Sequence, residues 1–203
     1  MKKILWCLMM MLCATGFAQT NYENSIWFQQ GSDSKLVFEF KSNKDHKIYN
    51  YFYAEGVFDK NKFESVYLQY ARDQRWWKAP VFVHAEFRAF IDKFGTYENV
   101  WLGGPSFEVL DKPFGYIDIQ TLYRYDGKSN YQLTLLSEMT YKRFYYTMFA
   151  DMYGTSKIGF HSENRFFFNV WGPFKIGVNC ILTVNELKDG FKAQPLGIVR
   201  VDI

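Results

Sequence analysis

Three ionisable side chains that alternate along one predicted strand are the strongest candidates for chemistry in this sequence. His84, Glu86 and Arg88 are each separated by one residue, so in an extended strand they project from the same face. A carboxylate and a guanidinium at this spacing can form an ion pair. Two interpretations stay open: contact with a solute inside a barrel, or pairing that only neutralises buried charge.

Other polar and aromatic side chains share a face in the same way. Glu163 and Arg165 form a second candidate pair, and Tyr51 and Tyr53 share one face of their strand with Glu55. Alternation leaves open whether these tyrosines line a lumen or belong to an aromatic belt on the outside. The candidate lumen or solute-binding residues are His84, Glu86, Arg88, Tyr51, Tyr53, Trp101, Asp118, Arg124, Glu163 and Arg165.

The sequence carries no recognisable catalytic or metal-binding motif. It has no Gly-x-Ser-x-Gly, no His-Glu-x-x-His and no phosphate-binding glycine loop. Of its three histidines, His46 falls in a predicted turn and His161 lies near a loop. We therefore predict no catalytic site, no metal site and no cofactor.

Composition limits the classes of protein to consider. The 203 residues are 48% hydrophobic and 22% charged, which excludes a disordered chain. Aromatic residues make up 21% of the chain, an unusually high share. The formal net charge of +3 is spread along the sequence without a long basic run, so a nucleic-acid partner is not predicted.

The first 18 residues have the features of a secretory signal peptide. Lys2 and Lys3 precede an apolar run, and Gly16-Phe17-Ala18 is a suitable cleavage site. A lipoprotein signal at Cys13 fits less well, because Leu12 occupies a position where that signal needs a small residue. We expect residues 19–203 to form the mature domain, in which Cys180 is the single cysteine and cannot form an internal disulfide.

The mature chain alternates apolar and polar residues with a period of two, which predicts β-strands. No stretch after Ala18 reaches the roughly 18 consecutive apolar residues of a membrane helix. About twelve strands separated by turns suit a closed antiparallel barrel. The predicted strands are 25–30, 36–42, 48–56, 65–72, 81–88, 99–107, 116–125, 131–141, 144–153, 163–171, 174–185 and 199–203.

Alternation alone does not distinguish a membrane barrel from a soluble one, because both have the same period. Many lysines fall in turns or at strand ends, and aromatic residues such as Tyr131 and Tyr141 gather near strand ends, as in membrane barrels. In the second half of the chain, connections alternate between short and long, although Asp73–Pro80 is long where a short turn is expected. Cross-strand aromatic pairs in a soluble sheet are the alternative explanation.

Several short strings resemble one outer-membrane family. They are Ser65 to Arg72, Trp77 to Pro80, Val83 to Phe87 and Asn99 to Gly104. They look like the core of an uncharacterised Bacteroidetes outer-membrane barrel family, which is similar to the nucleoside-specific channel-forming Tsx-type barrels. The resemblance implies a narrow lumen for nucleosides or similar solutes. The chain departs from such barrels at Ile203, where they usually end in an aromatic residue.

We therefore predict an all-β fold, a single antiparallel transmembrane barrel in the outer membrane of a Gram-negative bacterium. The expected activity is a narrow passive channel, with a small polar, nucleoside-like solute and outer-membrane lipid as partners. Two other functions remain open. One is a structural barrel with a plugged lumen, and the other is a soluble periplasmic barrel that binds an apolar ligand. A polar interior would distinguish the two membrane barrels from the soluble barrel. An open lumen would distinguish the channel from the structural barrel.

Overall fold

A computed structural model describes residues 21–31, 34–44, 48–59, 62–76, 80–154, 158–184 and 192–203. The predicted signal peptide, residues 1–18, lies outside these ranges, as do Gln19, His46 and Trp77. Within them, no helix is long and apolar enough to cross a membrane.

Twelve strands form one closed sheet, in which each strand is antiparallel to both neighbours. β1 pairs with β12 and closes the ring. The strands are β1 (Asn21–Gln30), β2 (Ser34–Lys44), β3 (Ile48–Asp59), β4 (Lys62–Arg75), β5 (Val81–Asp92), β6 (Tyr97–Lys112), β7 (Gly115–Tyr125), β8 (Ser129–Tyr141), β9 (Phe144–Tyr153), β10 (Gly159–Trp171), β11 (Phe174–Val184) and β12 (Lys192–Asp202). The predicted twelve-stranded antiparallel barrel is confirmed.

The last strand is longer than the sequence predicts. We placed it at residues 199–203, after Pro195-Leu196-Gly197, whereas β12 begins at Lys192 and runs through that segment. Leu196 and Ile198 are apolar residues on the inward face, with 2% and 3% of their surface exposed. Because both faces of this part of the strand are apolar, it has no alternation to detect.

The outward face of the barrel is apolar, and its inward face is largely polar. On β10, Phe166 and Phe168 point outward, with 52% and 36% of their surfaces exposed. On β8, two strands away, Gln132 and Thr134 point inward and are almost completely buried. This arrangement is the reverse of a soluble barrel with an apolar interior and a water-facing surface.

Exposed aromatic side chains form a belt near each end of the barrel. The end that holds both described chain ends carries Trp76, Phe114, Tyr141, Phe144, Trp171 and Phe174, and we call it the termini end. The opposite end, which we call the loop end, carries Phe63, Phe94, Tyr97, Tyr123, Tyr125 and Tyr131. Two belts of this kind are typical of strands that cross a bilayer.

Connection lengths differ between the two ends in the second half of the chain. At the termini end, two residues each connect β6 to β7, β8 to β9 and β10 to β11, at 113–114, 142–143 and 172–173. At the loop end, the connections are 126–128, 154–158 and 185–191. The predicted alternation is confirmed. The connection after Arg75 is also long, because β5 begins only at Val81, and the N–H of Trp76 donates to the carbonyl of Val81 at 2.7 Å.

Candidate functional site

The three alternating residues of β5 meet as the sequence predicts. Both ring nitrogens of His84 contact carboxylates, with Nδ1 2.9 Å from Oδ1 of Asp73 and Nε2 3.0 Å from Oε2 of Glu86. An imidazole that donates to two carboxylates must carry both protons. Arg88 pairs with the other oxygen of Glu86 through its Nε, so charges of both signs alternate along this inward face.

Arg88 extends the network to another part of the wall. Its Nη1 lies 2.7 Å from Oδ2 of Asp151 on β9, four strands away around the ring. Asp151 also accepts a hydrogen bond from the hydroxyl of Thr134 at 2.6 Å. The network continues through Gln132 to Arg124, with distances of 2.9 and 3.0 Å, and reaches the loop end. Hydrogen bonds therefore run along the lumen as well as across it.

A second ion pair crosses the whole lumen. Nζ of Lys41 on β2 lies 3.1 Å from Oε2 of Glu138 on β8. These strands are on opposite sides of the twelve-stranded ring, six positions apart. Both side chains remain partly exposed, at 26% and 21%. At this level, therefore, side chains from opposite walls meet inside the lumen.

An aromatic cluster fills the middle of the barrel. Trp27, Tyr53, Tyr145 and Phe167 belong to it, and at least 92% of each side chain's surface is covered, with exposures of 1%, 3%, 8% and 2%. The guanidinium of Arg200 lies 5.0 Å from the centroid of the Trp27 ring. Stacked cations and rings of this kind are favourable, and more so away from water. The interior is therefore packed at this level as well.

Most of the predicted lumen residues do point inward. Tyr51 and Tyr53 face the lumen, which settles the facing of β3. Glu163 and Arg165 form the predicted ion pair. Asp118 lies on the inward face of β7, opposite Glu108. Arg124 lies on the same face and donates hydrogen bonds to Asp126 and Gln132.

The prediction that Trp101 lines the lumen is wrong. Trp101 is opposite Phe87 in the β5–β6 register, and the two rings pack on the outer wall with centroids 4.5 Å apart. More than half of the Trp101 surface, 55%, is exposed. The sequence does not indicate which side chains of β6 face the lumen, because Gly103, Gly104 and Pro105 interrupt the alternation of this strand.

Sequence reasoning missed residues that connect different strands. Lys41, Glu138, Asp151 and Arg200 all take part in ion pairs between strands that are not adjacent in the sheet. Each lies on the polar face of its own strand, so alternation could have identified it as inward. Its partner could not be identified, since the partner depends on register and barrel closure.

No group of three or more His, Cys, Asp or Glu residues in the described ranges is placed to hold a metal ion. The side chains that converge inside the barrel are instead ion pairs, amides and rings. They can contact a polar solute through charge, hydrogen bonds and stacking.

The chain matches no protein-family profile and no curated protein. Among solved structures, it is similar to the KdgM porin in complex with disordered oligogalacturonate, with a TM-score of 0.57 and 7% identity over 88% of this chain and 98% of that one. A second KdgM porin structure gives a TM-score of 0.53 and 10% identity over the same shares. A structure from a study of in-meso crystallisation of membrane proteins gives 0.53 and 8%, over 90% and 83%.

At this level of identity, the comparisons show that the chain shares the porin barrel fold. Two of these three structures are KdgM porins, and none of the three is named as a Tsx-type channel. A specificity for nucleosides therefore stays a prediction from the sequence.

Proposed function

We propose that this protein is an outer-membrane barrel that passes small polar solutes through a narrow lumen, which side-chain bridges close in the present state. The observation that carries the membrane location is the facing of the strands. Polar groups point inward and rings and aliphatic side chains point outward, between two aromatic belts. A surface of this kind is stable in lipid, and ring closure leaves no strand edge unpaired there.

The same facing argues against a soluble barrel that binds an apolar ligand. Such a protein would need an apolar interior and a polar surface. Here Gln120, Gln132 and Asp151 are buried inside, while Ile176 and Val178 are more than half exposed outside.

The chemistry of the bridges supports a channel. A lumen that only needed filling could be packed with apolar side chains at no loss of stability, because buried ion pairs are often no more stable than apolar replacements. In this barrel, Lys41 and Glu138 instead meet across the lumen and remain partly exposed. Partly hydrated ion pairs can separate at modest cost, and the separated charges can then contact a polar solute.

One of the similar structures is a KdgM porin in complex with oligogalacturonate. It suggests sugar-derived solutes as a class to test beside nucleosides. The solutes that we propose for the channel are small polar molecules in general. Passage of nucleosides remains a more specific prediction, made from the sequence.

Single-channel conductance in planar bilayers tests this function. We expect rare, small openings for the wild-type protein. Glu138→Gln and Lys41→Gln should each raise the open probability, because each removes one partner of the pair that crosses the lumen. The double variant should open about as often as either single variant, since both changes remove the same interaction. Lys142→Gln is the control, because Lys142 lies in the exposed turn between β8 and β9.

A second function remains, a structural barrel with a permanently closed lumen. It is favoured by the almost complete burial of Trp27 and Phe167 in the middle of the barrel. If folded wild-type protein and both single variants conduct no ions and pass no solute, the channel proposal is refuted and the structural function takes its place.

A further inference from the structure

A hollow of about 500 Å³ lies in the outer wall near the loop end, across β6, β7, β8 and β9, and we call it the outer hollow. Its sides are large outward side chains, since Tyr123, Tyr131, Leu133 and Met152 are exposed by 49%, 69%, 41% and 44%. Ligand pockets in proteins have volumes of roughly 300 to 1,000 Å³. The outer hollow is therefore large enough to hold part of a membrane molecule.

The outer hollow has a floor of backbone because β6 carries almost no side chain there. The outward positions of β6 are, in order, Trp101, Gly103, Pro105 and Phe107. Trp101 and Phe107 are six residues apart, and in a strand tilted by roughly 40° this spacing covers roughly 15 Å of depth. One half of the hydrocarbon core of a bilayer is roughly 15 Å thick. The gap between the two rings thus matches the depth of one leaflet.

The same segment weakens the wall in which it lies. Pro105 has no N–H to donate, and the β6–β7 pairing stops at Gly103 and resumes at Ser106. Glycine also weakens the interior of a strand. A barrel wall in lipid normally satisfies all its backbone hydrogen bonds within the sheet. A natural sequence breaks such local rules mainly at functional or strained sites, which supports a function for the outer hollow.

A lysine lies at the rim of the outer hollow. Lys128 is in the β7–β8 connection, beyond the paired Tyr123 and Tyr131, and it is exposed. The acidic residue of this connection, Asp126, pairs with Arg124 instead, with 2.9 Å between Oδ2 and Nε. The ammonium group of Lys128 therefore has no acidic partner in its own hairpin. Basic groups at this level of a membrane attract anionic lipid headgroups.

The shape of the outer hollow favours a lipid chain over a second copy of the protein. The outside of a closed barrel is convex, so a second barrel would touch the raised sides at Tyr131 and Met152 and leave the floor uncovered. A stable protein interface also needs roughly 800 Å² of well-packed surface on each partner. An acyl chain is thin and flexible enough to lie on the floor itself.

From these observations we infer that the outer hollow binds one acyl chain of an anionic membrane lipid, whose phosphate contacts Lys128. The chain lies on Gly103 and Pro105, and the flexible thioether of Met152 packs against it. The inference needs the membrane location that the proposed function includes. It goes beyond that function, because binding on the outer wall does not depend on passage through the lumen.

Native mass spectrometry of the folded full chain tests the site, with phosphatidylglycerol added to the detergent micelles as the probe. We expect one lipid to stay bound to each barrel after free lipid is removed. Gly103→Leu fills the floor, and it should fold because an added Cβ meets nothing closer than 3.7 Å. The retained fraction should fall about tenfold, since the leucine occupies the space of the chain.

Matched variants separate the outer hollow from the rest of the wall. Ala85 is exposed and opposite Gly103 on β5, outside the hollow, so Ala85→Leu should leave lipid retention unchanged. Thr121→Leu fills the floor from β7 and tests the site if Gly103→Leu fails to fold.

The headgroup contact is tested by the choice of lipid. The wild-type protein should retain phosphatidylglycerol about fivefold better than zwitterionic phosphatidylcholine, the size expected for one lysine near a lipid surface. Lys128→Gln should abolish this preference. Lys62→Gln, an exposed lysine at the same end on β4, should keep it.

The inference is wrong if the wild-type protein retains no more lipid than Gly103→Leu, or if Ala85→Leu loses as much lipid. It is also wrong if the wild-type protein is a dimer that Gly103→Leu separates, because a second copy then covers the outer hollow. Equal retention of the two lipids would refute an anionic headgroup at Lys128. Failure of the proposed channel gives a different result, in which the lipid stays bound while the barrel conducts no ions.

Discussion

A charge placed at the middle of the outer wall should destabilise the barrel more than the same charge near its end. Phe166 and Phe168 both point outward from β10. Phe166 is five residues from the end of this 13-residue strand at Trp171, and Phe168 is only three residues from it. An arginine on the lipid face costs about 2 to 4 kcal/mol at the bilayer midplane and about 0 to 1 kcal/mol near the interface.

We therefore expect the charge introduced by Phe166→Arg to lower the free energy of unfolding by about 2 to 4 kcal/mol, and the charge introduced by Phe168→Arg to lower it by less. Lost ring packing adds a similar amount to both, since Phe166 packs on Tyr146 and Phe168 packs on Phe144. The difference between the two variants thus isolates the depth effect. Asn169→Arg, on the inward face near the end, is the control for an added charge without lipid contact.

The assay is reversible denaturation in phospholipid vesicles, followed by tryptophan fluorescence. Boiled and unboiled samples run side by side in electrophoresis confirm that each variant starts from the folded barrel. Equal unfolding free energies for Phe166→Arg and Asn169→Arg would refute the assignment of the outer face to lipid. A Phe168→Arg variant that is less stable than Phe166→Arg would refute the assigned depth.

Two further predictions concern the interior and the wall. Arg88→Met should destabilise the barrel by about 3 to 5 kcal/mol, because it leaves the buried carboxylates of Glu86 and Asp151 without the guanidinium that pairs with both. A denaturant midpoint equal to that of Arg72→Met, an exposed change on β4, would contradict this. Gly104→Ala should destabilise by about 1 to 3 kcal/mol, since its new Cβ would lie 2.3 Å from the carbonyl oxygen of Thr121. Gly103→Ala, whose Cβ meets nothing closer than 3.7 Å, should fold with unchanged stability in the same denaturation assay.

The fold could be predicted from the sequence because a membrane barrel repeats one local rule in every strand. Segments such as Tyr131 to Tyr141 show this alternation clearly, so their position and facing were predictable from single residues. The rule failed where both faces were similar, as at Leu196 and Ile198, or where small residues interrupted it, as before and after Gly104.

The candidate site could be predicted only in part, because alternation specifies a face and not a partner. His84, Glu86 and Arg88 lie within one strand, and so their contact follows from spacing alone. The pairing of Lys41 with Glu138 depends on the number of strands and on closure of the ring. Trp27 was missed for a different reason, since an apolar ring on an inward face is unexpected where the interior is predicted to be polar.

The cellular location of the barrel is the most direct test of its membrane assignment. Membranes from cells that express the full chain can be separated by density and washed at alkaline pH, and the protein can be followed by immunoblot. We predict that it sediments with the outer membrane and stays there after the wash, because its apolar outer face is covered by lipid. Recovery of folded protein in the soluble periplasmic fraction would contradict this account.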